Sequence, residues 1–133
     1  MNLINKTAFM LLLFPFFLHA ALTDYSKIES DCREYSPGIN NSIVMGCADL
    51  VSDTAKKDMN IVYQKIYKII EVRDLPYVTK NFETAQKSWL TLRDNWCDVQ
   101  GFIIGTPMYS ICRMDMNISR VNELNGFLEK IQN

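Results

Sequence analysis

The sequence predicts a small, mainly α domain stapled by disulfides, with about three main helices. Three observations lead there. Apolar residues recur at intervals of three and four over most of the chain, and no segment shows sustained strand alternation bounded by turns. The four cysteines, Cys32, Cys47, Cys97 and Cys112, all follow an N-terminal stretch built like a secretory signal.

That stretch comes first. Residues 1–6 carry one positive charge and no negative one, residues 8–18 are almost wholly apolar, and small residues follow at Ala20 and Ala21. Eleven apolar residues fall short of the roughly 20 a helix needs to cross a bilayer. The expectation is a signal peptide over residues 1–20 and one domain over residues 21–133, periplasmic or secreted and with no stable membrane insertion after cleavage. In an exported chain an even cysteine count reads as disulfides. Metal binding is the weaker reading: no CxxC pair occurs, and the single histidine, His19, leaves with the signal.

The first long helical run places Val51, Ala55, Met59, Val62, Ile66 and Ile70 on one stripe, with Asn41 or Ser42 as its cap. It stops at "RDLP", because the residue before Pro76 is pushed out of helical geometry. Pro76 then takes a favoured first-turn position for the second run, whose stripe passes through Val78, Phe82, Ala85, Trp89, Leu92 and Trp96. After "GFIIG", Thr106 and Pro107 open a third run through Ile111, Met114, Ile118, Val121, Leu124, Leu128 and Ile131.

In the stretch "AQKSWLTLRDNWC", residues 85–97, Trp89 and Trp96 are seven apart on the stripe of Phe82 and Leu92, so both are expected in the core. Gln86 and Arg93 lie on a different face beside Leu90 and Cys97. Arg93 is therefore expected at a flank of the core, clamping its helix to the others by charge-assisted hydrogen bonds.

Composition narrows the function. Without Lys6 the chain holds thirteen basic and fifteen acidic residues, so no phosphate-neutralising surface and no nucleic-acid partner are implied. Seven of the acids against four bases fall within residues 24–58, which reads as a solvated acidic surface. Catalysis lacks its usual groups: no histidine after the signal, no G-x-S-x-G, no glycine loop for phosphate. Asp94 and Asp98 are one turn apart on one helix and look the same way, not across a cleft. A binding protein without cofactor or metal is the expected class.

The same stretch resembles the Q-x-x-W-L-x-x-R-D-x-x-C signature of the LprI-type lysozyme-inhibitor domains, carried here by Gln86, Trp89, Leu90, Arg93, Asp94 and Cys97. Further pieces fall in order: "SDC" at Cys32, "MGCAD" at Cys47, Met59, Asn60 and Tyr63 for L-N-x-x-Y, Cys112, and Arg120 with Leu124. Lys56 departs from an acid common in the family, and "GFIIGTPM" is more apolar than the family's approach to its last cysteine. The resemblance implies pairing of Cys32 with Cys47 and of Cys97 with Cys112. The rival is Cys47 with Cys97, which would stand at similar heights in an antiparallel hairpin of the first two long helices. It also implies inhibition of a lysozyme or other peptidoglycan hydrolase by steric occlusion, with immunity against a wall-degrading toxin as a special case; the alternative is a non-catalytic envelope adaptor with no hydrolase target. The expected binding residues are Phe102, Ile103, Ile104 and Tyr109, in a loop over residues 97–112 tied at both ends; the competing reading tucks that apolar triplet onto the domain. Gln86, Trp89, Arg93 and Asp94 are expected to be structural.

Overall fold

The computed structural model describes residues 22–132, so the expected signal peptide lies outside the described residues. Those residues form four helices and no strand: α1 (Tyr25–Glu34), α2 (Asn41–Val72), α3 (Pro76–Ile104) and α4 (Pro107–Gln132). The mainly α class holds, and the three long helices are the expected runs. The short α1 is the addition.

Local chemistry sets the ends. Asp24 caps α1 by accepting from the Lys27 amide at 2.9 Å, and Asn40, one residue before the expected cap, accepts from the Ile43 amide at 3.0 Å to start α2. α2 stops where Asp74 takes a left-handed backbone, φ 51°, a conformation its short polar side chain tolerates. Pro76 then opens α3. Gly105, φ 135°, ends α3 and turns the chain straight into α4. This corrects one expectation: residues 97–112 are not a loop, because α3 continues through Phe102, Ile103 and Ile104, leaving only Gly105 and Thr106 between two helices. Gly101 allows the tight approach of those helices, since a methyl group there would overlap the Tyr109 ring.

α2 and α4 run in the same direction and make the core together. The whole expected α2 stripe is buried, and its lower part, Ala55 to Ile70, packs on Val121, Leu124 and Leu128 of α4. At the other end Ala48 and Val51 meet Met114, with Tyr25 and Ile28 of α1 laid over them. The disulfides follow the family-implied pairing. Cys32 bonds Cys47 and ties α1 to α2, and Cys97 bonds Cys112 and ties α3 to α4, so the Cys47–Cys97 rival is excluded.

α3 departs from expectation. Its buried face is Gln86, Arg93, Cys97 and Gly101, whereas its apolar stripe faces sideways or outward. Phe82 and Trp89 are half-buried against the core, but Leu92 is 60 % and Trp96 52 % exposed, so Trp96 is not a core residue. Helical periodicity shows that residues share a face and does not say what the face meets. Here α2 and α4 already cover each other, and α3 reaches them through a mainly polar seam.

Candidate functional site

Two groups of expected residues separate cleanly in space. The first, Gln86, Trp89, Arg93 and Asp94, lies where α3 crosses α2 and α4. Arg93 is buried. Its Nε and Nη2 donate to Asp94 Oδ1 at 2.9 and 2.7 Å, and its Nη1 donates to Asn117 Oδ1 at 2.9 Å. Asn117 is fully buried and passes the link to α2, donating from Nδ2 to Ser52 Oγ at 2.8 Å and to the Ser52 carbonyl at 3.3 Å. One side chain thus joins three helices, and every hydrogen bond is made inside the domain.

Gln86 repeats the device about two turns earlier in α3. Its Oε1 accepts from Arg120 Nε and Nη2 at 3.1 and 3.0 Å, and its Nε2 lies 3.1 Å from the Met59 sulfur. The Trp89 ring sits between the two cations, 5.6 Å from the Arg93 guanidinium and 5.5 Å from that of Arg120, at cation–π range. Asp94 also faces Arg113 at 3.7 Å, and Arg113 Nη2 donates to Asp98 at 2.6 Å, so the outward carboxylates are taken up by α4. Arg93 and Gln86 thus spend their polar atoms on neighbours within the domain, an arrangement suited to holding α3 against α2 and α4.

The second group is exposed. Phe102, Ile103 and Ile104 show 81, 73 and 67 % of their surface, on the last turn of α3. The triplet does not tuck onto the domain. Its backbone is held by the Cys97–Cys112 disulfide below and by the Gly105 amide, which donates to the Gly101 carbonyl at 3.1 Å. Tyr109 is half-buried, its ring filling the space over Gly101. Of the four expected binding residues, three therefore form an apolar tip and the fourth supports it.

The family comparison decides which domain this is. The family model described as lysozyme inhibitor LprI matches residues 32–124, from the first cysteine to Leu124 within α4. The chain belongs to the LprI lysozyme-inhibitor family. Neither the curated proteins nor the solved structures give a match. The LprI family is one of inhibitors, not catalysts, and its match covers both disulfides, the clamp and the tip. Among the described residues of this LprI domain no group of His, Cys, Asp and Glu side chains could hold a metal ion, and no helix is long and apolar enough to cross a membrane.

Two surfaces escaped the sequence reading. One is the outward stripe of α3. The other is an open cavity of about 550 Å³ between α1, α2 and α4, bounded by Tyr25, Glu29, Asp58, Ile61, Met114 and Asp115. There the Tyr25 hydroxyl donates to Asp58 at 2.6 Å and the Thr23 hydroxyl to the same oxygen at 2.7 Å. Burial, and then the charge of Glu29, push the Asp115 carboxyl above its usual range. Only the acidic count of residues 24–58 hinted at this side, because α1 was not recognised as a helix.

Proposed function

We propose that this protein acts outside the cytoplasm as an inhibitor of a lysozyme-like peptidoglycan hydrolase, and that it works by placing the tip of the α3–α4 hairpin over the cleft that accepts the glycan chain. Family membership supports the target class. The observation that carries the mechanism is the exposure of Phe102, Ile103 and Ile104 on a helix end cross-linked just below. Apolar and aromatic anchors supply much of the energy of a typical interface, and an anchor already held rigid loses little entropy on docking. Two disulfides fit an oxidising compartment, where such hydrolases meet the cell wall. Occlusion requires no catalytic group. Immunity against a wall-cutting toxin is the same chemistry with a different source of enzyme.

The test is a titration of the oxidised protein against a panel of lysozymes and secreted muramidases, following wall hydrolysis and binding together. At least one enzyme should be inhibited with a Kd below about 1 µM, and Phe102→Ser with Ile104→Ser should weaken that inhibition at least about 30-fold without lowering the melting temperature. Absence of submicromolar binding across the panel would reject the hydrolase and favour an envelope adaptor; inhibition unaffected by the double substitution would reject the tip.

A further inference from the structure

The outward stripe of α3 has a regularity that its packing within the domain does not use. Ala85, Trp89, Leu92, Trp96, Val99 and Ile103 succeed one another at intervals of four, three, four, three and four. This is the a/d pattern of a seam that faces another helix along its length. Because a 3.5-residue period sits on a helix of 3.6 residues per turn, the stripe slips about 20° around the helix with each heptad. The slip shows in one file of the stripe, where Trp89 leans on the core, Trp96 is half-exposed and Ile103 is mostly exposed, while Ala85, Leu92 and Val99 of the other file are exposed throughout. Apart from Trp89, the seam thus presents its side chains largely to solvent.

Charge tells which helix fits. The outer edge of the seam is Ser88, Asn95 and Phe102, all uncharged, while Lys87, Asp94 and Asp98 lie around the helix on the opposite side. A two-fold interface sets the same patch against itself, so any charge on it would meet its own sign; this patch has none. Five large apolar side chains from Leu92 to Ile103, each with on the order of 100 Å² in the open, together with the polar edge present an area approaching the about 800 Å² per partner of a standard interface. Orientation follows from the inner edge. Gln86 and Arg93 are committed within the domain, and only an antiparallel pair brings the two free outer edges together without calling on them.

We propose that α3 is a self-association helix: two copies pair antiparallel, with Trp96 against Val99 of the partner subunit and Leu92 against Ile103 of the partner subunit. Phe102 and Ile103 belong both to this seam and to the inhibitory tip, so a hydrolase and a second copy compete for the same helix end.

Sedimentation of the oxidised protein, with no hydrolase present, tests the pairing independently of the inhibitor reading. The wild-type chain should carry a dimer mass at about 100 µM, and Leu92→Lys with Val99→Lys should weaken association at least about 100-fold, with helical circular dichroism and melting of the separated chains unchanged. Trp96→Gln adds no charge and should weaken association about tenfold. A wild-type monomer at 100 µM would overturn the proposal, and so would a lysine variant that associates as the wild type does, since the contact would then lie elsewhere.

Discussion

Arg93, Asn117 and Gly101 show how much of this domain rests on single positions. Arg93→Ala would leave the Asn117 side-chain Oδ1 without its donor inside the domain, and an orphaned buried polar group costs about 1–3 kcal/mol before lost packing is counted. The variant should lose at least about 2 kcal/mol in denaturant unfolding, yet the fraction that folds should bind as the wild type does; a variant of normal stability with lost binding would move Arg93 from clamp to contact. Gly101→Ala sets a methyl group into the Tyr109 ring and should cost about 1–3 kcal/mol, because overpacking at a helix crossing is relieved only by moving a whole helix. The helical face of Arg93, beside the apolar stripe, pointed to a clamping role in the sequence, but its partners were not legible: Asn117 and Ser52 are 65 positions apart, and nothing local in either joins them.

At the scale of the helix, α3 carries two faces with different work. Its inner face is polar and disulfide-bonded, and its outer face is the periodic apolar seam. Trp89→Ala should therefore lower stability by about 2–4 kcal/mol, near the lower end of the cost for a fully buried tryptophan, whereas Trp96→Ala should change it by less than about 1 kcal/mol when melting is followed on separated chains. Equal losses in the two variants would restore Trp96 to the core. Replacing Cys97 and Cys112 by serine opens a 15-residue link and should lower stability by about 3 kcal/mol, with inhibition weakened further as the tip loses its tether. Helix boundaries were legible because caps and prolines are local signals; the continuation of α3 to Ile104 was not, since the glycines of "GFIIG" read equally as a loop.

For the whole molecule, the packing of α1 over α2 and α4 sets an alkaline limit. Burial, then the hydrogen bond to Asp58 and the charge of that carboxylate, hold the Tyr25 phenol well above its ordinary value of 10.0. A group whose folded pKa is raised contributes stability that is complete below its unfolded pKa and is lost as pH rises beyond it. Unfolding free energy should accordingly fall from about pH 10 upward, more steeply for wild type than for Tyr25→Phe; parallel curves would show that this phenol does not hold α1. Sequence alone determined the helical class, the three long helices and the buried stripe of α2; the cysteine pairs were implied by the family resemblance, and the structure excluded the rival. These are properties of intervals of a few residues, or of a pattern carried whole along the chain. The tertiary structure decided what each face meets: that α2 and α4 share the core, that Arg93 reaches Asn117, that Phe102 to Ile104 stand in solvent and that the seam of α3 is left open. A stripe at helical spacing records only that its residues lie together, and whether another helix covers them depends on how the remaining helices have already satisfied one another.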